Sequence, residues 1–369
     1  MPADGRPIVH ILPAEPFGGL QALVIELARV QKSTGKAVSL ILLGPSPRVE
    51  ERCRSAGVAA TVLAGPKFSR MLTLWRILRQ KGIAILHSHC EPIWASIVLS
   101  LHARSWFSHL HVYPSGKSAR DRLAHTLRRR SVRQFIAITG SIAQSYIDAG
   151  LAPANRVEVI YNGLDVASLP KPMRRIADRP FTVAFVGRAV REKGLFDFID
   201  TVDLLRDEPD LRFIIAGEGA DLAEAREIIA ERGLTDRISV LGFVTDTNAL
   251  WHELDLLLML STREPFGLVI LEAIASGVGV LGYDVPSGGS EIMATVPGCT
   301  MVPAFSIDAL ATAVLATSRD RDALNTQVLA GRAVVIDRFS LDRMEGSLAR
   351  NYVLAERSQI PDRFFSQVQ

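Results

Sequence analysis

Short apolar runs alternate with longer stretches of helical spacing along this chain, and the alternation happens twice. IVHIL (8–12), VSLILLG (38–44), ATVL (60–63), AILHSH (84–89), FSHLHVY (107–113), FIAIT (135–139) and VEVIYNG (157–163) read as strands. Between them, 21–31, 48–56, 69–82, 92–103, 117–133 and 141–150 carry apolar residues at helical spacing. Strands that alternate with helices imply a parallel sheet covered on both faces. The stretch 166–180, with three prolines and no clear period, breaks the pattern. It then restarts with strands at 181–187, 211–217, 238–242, 256–260 and 279–283, and helices at 194–208, 221–233, 249–255 and from about 267. The expected architecture is α/β, with two doubly wound domains facing a cleft. The expected limits are 1–165 for the first domain, 166–180 for a linker and 181–340 for the second domain. A last helix is expected within 341–369. Ligands of such sheets sit at the carboxyl ends of the strands.

Composition narrows the class. Of 369 residues, 48% are hydrophobic and 22% charged, which suits large cores rather than disorder. No apolar run approaches the roughly 20 residues that span a bilayer. The first residues lack the long apolar region of a signal peptide. Cys53, Cys90 and Cys299 are scattered without CxxC spacing, which argues for a reducing, cytoplasmic setting and against structural zinc. Residues 1–165 hold 21 Lys and Arg against 10 Asp and Glu, a net of +11, and the remainder has a net of −8. A basic half of this kind can attract a membrane surface, a nucleic acid or a phosphorylated substrate. A solvated basic face is the bland alternative. The basic stretch 117–133, from Lys117 through Arg120, Arg122, Arg128, Arg129 and Arg130 to Arg133, carries Leu123 and Leu127 as an apolar stripe. It suits anionic headgroups, and without interleaved aromatics it does not suit single-stranded nucleic acid.

Five motifs carry chemistry. Gly18-Gly19, between the first strand and first helix, lets an anion approach backbone amides, although the same pair also makes a plain turn. FVGRAVREKG (185–194) places Arg188, Arg191 and Lys193 just past a strand end, as a diphosphate requires. Gly217 and Gly219 follow the next strand and permit close approach of a flat base. His87, His89, His109 and His111 stand near two strand ends, where an imidazole can donate a hydrogen bond or move a proton. No carboxylate or cysteine set accompanies them, so the spacing does not indicate a metal.

The sharpest signal is STREPFGLVILEAIASG (261–277). Glu264 precedes a helix that starts near Gly267, and Glu272 falls within an otherwise apolar run. Burying an unpaired carboxylate is costly, so Glu272 either reaches solvent or meets a polar partner. Two such carboxylates can hold two ends of one polar ligand, and a carboxylate accepts well from paired sugar hydroxyls.

Together FGGL, SHLHVYP, VIYNGLD, FVGRAVREKG, IAGEGA, EPFGLVILEAIASG and GGSE resemble the retaining GT-B glycosyltransferases of family 4. The resemblance covers nearly the whole chain and implies two Rossmann-like domains. It implies a hexosyltransferase moving a sugar from a UDP- or GDP-sugar, UDP being favoured, to a glycan or lipid-linked acceptor. It assigns Glu272 to the ribose hydroxyls and Glu264 to the donor sugar. The backbone amides of Phe266, Gly267 and Leu268 face the diphosphate or sugar, as does Gly19 beside Gly18. Arg188 and Lys193 would neutralise the diphosphate, His111 would contact the donor sugar near the reacting carbon, and the Gly217–Gly219 loop would lie near the base. The resemblance also implies that the donor belongs to the C-terminal domain and the acceptor mainly to the N-terminal one, and that the last helix, within 341–369, crosses back to the first domain. No metal is required, and Asp320-Arg321-Asp322 is read as incidental. VPSGGSEIM, with Ser287 and Ser290 around the glycines, departs from the family pattern. Surface polysaccharide or lipopolysaccharide synthesis at the inner membrane face is the implied setting. A GT-B nucleotide-sugar epimerase and a silent nucleotide-binding scaffold are the alternatives.

Overall fold

The computed structural model describes residues 7–15, 18–79, 85–101, 105–114, 119–172 and 179–357, with backbone only for 119–121 and 355–357. Lys117, the side chain of Arg120 and residues 173–178 of the expected linker therefore lie outside the described residues. Two compact units result.

In chain order the first half forms β1 (Ile8–Leu12), α1 (Gly19–Ser33), β2 (Val38–Leu42), α2 (Pro47–Ser55), β3 (Ala59–Val62) and α3 (Lys67–Leu78). It continues with β4 (Ile85–His89), α4 (Ile93–Ser100), β5 (Trp106–Leu110), α5 (Ala119–Ser131), β6 (Gln134–Ala137), α6 (Gly140–Asp148) and β7 (Val157–Val159). The second half forms β8 (Phe181–Val186), α7 (Leu195–Leu204), β9 (Leu211–Ala216), α8 (Leu222–Glu231), β10 (Ile238–Gly242) and α9 (Thr247–Glu253). Then come β11 (Leu256–Met259), α10 (Leu268–Ala275), β12 (Gly279–Asp284), α11 (Gly288–Met293), β13 (Cys299–Pro303), α12 (Ile307–Arg319), α13 (Arg321–Phe339) and α14 (Leu341–Arg357).

The first unit comprises residues up to Ile138, 142–163 and those from Leu341 onward. Its sheet runs β3-β2-β1-β4-β5-β6-β7, with every pair parallel. β1, β4 and β5 are buried at every position, as strands covered on both faces must be. On one face, Leu23 and Leu27 of α1 and Leu341, Met344, Leu348 and Tyr352 of α14 share a core with Ile8, Ile85 and Phe107. The α14 residues recur at helical spacing, which gives that helix its apolar stripe.

The second unit comprises residues 139–141 and 164–340. Its sheet runs β10-β9-β8-β11-β12-β13, again parallel throughout. Phe181, Val183 and Phe185 of β8 pack with Leu195, Phe198, Ile199 and Val202 of α7. In each sheet the chain reverses its direction of growth beside the central strand, between β1 and β4 and between β8 and β11. Loops diverge at that point and open a crevice at the carboxyl ends.

Residues 288–339 hold β13 and α11, α12 and α13, elements the sequence pattern did not mark out. The buried stripe of α13 is Val328, Gly331, Val335 and Phe339. A Cβ at Gly331 would lie 2.0 Å from the Pro297 carbonyl oxygen, so close packing demands a glycine and erases one apolar mark. Asp320 accepts from the Ala323 N–H at 3.0 Å and so caps α13, which gives the Asp-x-Asp a helix-capping role.

Candidate active site

In the second unit the site is assembled from the loops after β8, β9 and β11. After β8 the chain makes a short turn, Arg191–Lys193, and enters α7 through Gly194 at φ +76°. A Cβ there would sit 2.3 Å from Leu260 Cβ, so glycine lets this turn press against the end of β11. The turn sets Lys193 Nζ 2.5 Å from Glu264 Oε2, and Ser261 Oγ donates to the same oxygen at 3.2 Å. Glu264 is buried, and Lys193 keeps about a quarter of its side chain exposed. Arg188 is exposed, and its side chain makes no hydrogen bond or ion pair among the described residues. Arg191, grouped with it by sequence, pairs instead with Glu224 at 2.9 Å and lies over the Phe196 ring.

Gly267, at φ +84°, opens α10. The first amides of a helix have no intrahelical acceptor and carry the positive end of its dipole. Phe266 turns its ring into the core against Phe339, so only its backbone is offered at the loop. Glu272 stands in the second turn of α10 between buried Leu271 and Ala273. Its carboxyl makes no hydrogen bond or ion pair among the described residues, and it is half-buried rather than sealed. Desolvation pushes its pKa up to about 7. The charge in the apolar run thus has no partner within the protein's described residues.

The glycines divide into two kinds. A Cβ at Gly217 would lie 1.7 Å from the Gly187 carbonyl oxygen, and one at Gly219 would lie 2.2 Å from that of Ala189. The chain's own backbone therefore requires both, a reason separate from the expected contact with a base. Gly288 and Gly289 likewise press on Pro265 and Glu264, and the Gly289 N–H donates to the Glu264 carbonyl at 3.0 Å. Glu291 accepts from the Gly140 and Ser141 amides, both at 2.9 Å, within the same unit. The GGSE segment is thus a brace under the Glu264 loop.

In the first unit Gly18 caps α1 in extended backbone, its N–H bonded to Gln21 Oε1 at 3.0 Å. A Cβ on Gly18 would meet nothing closer than 3.9 Å, so the protein's own packing does not demand this glycine. The carboxyl ends of β4 and β5 border a cavity of about 220 Å³, lined by Glu91, His109, His111, Tyr113, Arg128 and Tyr146 among others. Arg128 Nε meets buried Glu91 at 2.7 Å, so this member of the basic stretch turns inward while Arg122, Arg129 and Arg130 stay exposed. Cys90, at φ +50°, has its thiol pushed up to about 11 by burial and by Glu91, which makes it a poor nucleophile.

The register aligns His10 with His87 and His89 with His109, and these imidazoles gather with His111 in one buried array. The four histidines of the strand-end pairs were legible as two H-x-H runs. His10, Gln31 and Tyr352 were not, because they join only through strand order and the packing of α1 and α14. Nor was Glu91, whose link to Arg128 needs α5 to fold back onto β4.

Two parallel six- and seven-stranded Rossmann-like domains, with an acid–cation cluster at one set of strand ends, define a glycosyltransferase of GT-B fold. The family model "Glycosyltransferase Family 4" matches residues 17–168, and "Glycosyl transferases group 1" matches 171–333. The chain belongs to the family-4 type of these enzymes. It is 26% identical to 2-deoxystreptamine glucosyltransferase of Streptomyces kanamyceticus, over 88% of this chain and 91% of that one. Lipopolysaccharide core mannosyltransferase LpsB of Rhizobium meliloti is 25% identical over 91% and 94%. The crystal structure of Anabaena HepE with UDP and glucose aligns at TM-score 0.83 and 20% identity, covering 95% of this chain and 100% of that one.

Proposed function

We propose that this enzyme transfers a hexose from a nucleotide diphosphate sugar, with retention of configuration, to a hydroxyl of a lipid-linked or surface glycan acceptor. The observation that carries the donor reading is Glu272, a half-buried carboxyl with no partner among the described residues, on the same helix whose N-terminus adjoins Glu264. Paired ribose hydroxyls are the donors it lacks. Arg188, whose side chain has no partner among the described residues, and Lys193 neutralise the diphosphate, and the amides at Gly267 and Leu268 add the helix N-terminus. Gly18, where a Cβ would meet nothing closer than 3.9 Å, leaves room for the donor on the first unit, and Gly19 beside it faces the diphosphate. Glu264, held by Lys193, faces the sugar.

As the C1–O bond to the diphosphate breaks, positive charge grows on the sugar ring. The acceptor oxygen bonds to C1 from the same face, and its proton passes to the departing phosphate oxygen. The fixed cations stabilise the leaving group, so no metal is invoked. His111 hydrogen-bonds the transferred sugar.

Relatives support both donor types. The HepE complexes contain UDP, UDP with glucose, and UDP-glucose. A Xanthomonas campestris relative, 27% identical over 73% of this chain, is a GDP-mannose:cellobiosyl-diphosphopolyprenol alpha-mannosyltransferase. UDP-sugars are the favoured donors. A lipid-linked acceptor agrees with exposed Arg122, Arg129 and Arg130 beside Leu123 on α5, a surface suited to the cytoplasmic leaflet. No helix among the described residues is long and apolar enough to cross a membrane.

The test is nucleotide release across UDP- and GDP-sugars, with and without polyprenyl-diphosphate-linked acceptors, with the product anomer read by NMR. Release that needs both a hexose donor and the lipid-linked acceptor, with the anomer retained, is expected. An inverted product, or donor epimerisation without transfer, defeats the reading.

A further inference from the structure

We propose that Gln31 is a positioning residue. Through His10 and His89, its amide oxygen fixes the tautomer of His111, so that His111 turns an Nδ1 lone pair toward a hydroxyl in the first unit's cavity. The inference rests on the proposed role of His111 in handling sugar.

Three contacts form an unbroken buried chain. Gln31 Oε1 lies 2.8 Å from His10 Nε2, His10 Nδ1 lies 2.9 Å from His89 Nε2, and His89 Nδ1 lies 2.9 Å from His111 Nε2. Burial holds the rings neutral: His10 is lowered to about 4, His111 to about 3, and His89 well below the usual imidazole range. A neutral imidazole has one N–H and one lone pair. Each link needs one of each, so all three rings must point the same way, and fixing one end fixes the other.

The amide oxygen carries no hydrogen, so His10 donates from Nε2 and keeps a lone pair on Nδ1. His89 then donates from Nε2 and accepts at Nδ1, and His111 donates from Nε2. The remaining nitrogen of His111, a residue that lines the cavity, is an acceptor at Nδ1.

The 2.8 Å contact of the Gln31 oxygen with His10 sets this orientation, and Tyr352 favours it. The Tyr352 hydroxyl lies 2.5 Å from His87 Nδ1, and burial keeps the phenol neutral. A phenol is a stronger acid than a neutral imidazole N–H, so the phenol is the donor in that pair and its oxygen is left to accept. The Gln31 amide nitrogen makes no direct hydrogen bond among the described residues, and the phenol on which Gln31 acts is a neighbouring acceptor for it. Turning the amide over would reverse all three imidazole links together.

The test is two-bond 15N–1H NMR of the histidine-labelled full-length protein, which reads each tautomer directly. His10, His89 and His111 should all carry hydrogen on Nε2. Gln31→Leu should mix the tautomers and lower kcat roughly tenfold, about one lost hydrogen bond, with the donor KM unchanged. If Gln31→Leu does not fold, the wild-type spectrum decides alone: Nδ1–H or a mixture at His111 overturns the proposal. The nitrogens of His89, His109 and His111 lie within 4.8 Å of one another. One tightly held equivalent of Zn²⁺ that removes the N–H signals would therefore replace the chain by a metal centre and also overturn it. Tautomers as stated with wild-type turnover in Gln31→Leu would remove the positioning role and leave the proposed transfer intact.

Discussion

The two units share one topology and put opposite electrostatics at the same place. Where the sheet reverses its growth, the first unit gathers buried neutral imidazoles from β1, β4 and β5. The second gathers Arg188, Lys193, Glu264 and Glu272 from the loops after β8 and β11 and from α10. The fold supplies the location at the carboxyl ends, and the side chains decide what binds there. Neutral rings recognise hydroxyls without attracting charge, whereas ions beside a helix N-terminus answer a charged leaving group.

The contrast should show most strongly in acid. Five buried histidines of the first unit, His10, His87, His89, His109 and His111, have their folded pKa lowered below the ordinary value of 6.5. The stability that depends on these neutral rings is fully present above pH 6.5 and is lost as pH falls toward about 4. Below pH 6.5 each unfolded imidazole takes up a proton that the folded one refuses, at most about 1.4 kcal/mol per pH unit, so five cost up to about 7. A domain's net stability is about 5–15 kcal/mol. The first unit should therefore open cooperatively at mildly acidic pH, before the second, where His252 is the one histidine among the described residues. Hydrogen exchange resolved by peptide between pH 7.5 and 4.5 measures this. Simultaneous loss of protection in both units would erase the contrast.

Substitutions in the second unit's cluster come next. Lys193→Ala should lower kcat by about 10²-fold or more, the scale for a fixed group that stabilises a leaving charge. Glu272→Ala should instead weaken donor binding by about 10- to 100-fold, the worth of hydrogen bonds to a charged acceptor. Its pH response opposes that of the first unit. With the folded pKa raised to about 7, the carboxyl prefers its proton, and any stability gained from that is lost as pH rises through 7. Hydroxyl donors need the carboxylate, so nucleotide-sugar affinity should rise over the same interval and Glu272→Gln should flatten the profile. Isothermal titration from pH 6 to 8 reads both, and wild-type affinity that ignores pH would remove Glu272 from the ribose.

The smallest effects separate two kinds of glycine. Gly217→Ala forces a Cβ to 1.7 Å from a carbonyl oxygen and should lower the melting temperature of the second unit. Gly18→Ala meets no such obstacle, and should leave melting unchanged while raising donor KM a few-fold. Melting curves and initial rates on the two variants would sharpen the contrast or reverse it.

Much of this was readable in advance because its signal is local. Strand–helix alternation, the restart after 166–180, the H-x-H runs and the two glutamates around EPFG each lie within a few residues. What escaped reading depends on separation in the chain. Gln31, His10, His89 and His111 form one chain only after strand order places β4 beside β1 and β5. Arg191 looked equivalent to Arg188 until Glu224 and Phe196 claimed it. Gly331 hid the packing stripe of α13 because contact with Pro297 demanded the smallest residue.

By itself the sequence determined the two doubly wound α/β units and the residue types at their strand ends, since periodicity and loop composition are written along the chain. Only the tertiary structure decided which of those groups keep a free charge, which are spent on internal partners and which imidazoles share protons. Burial and pairing depend on neighbours brought together from distant positions.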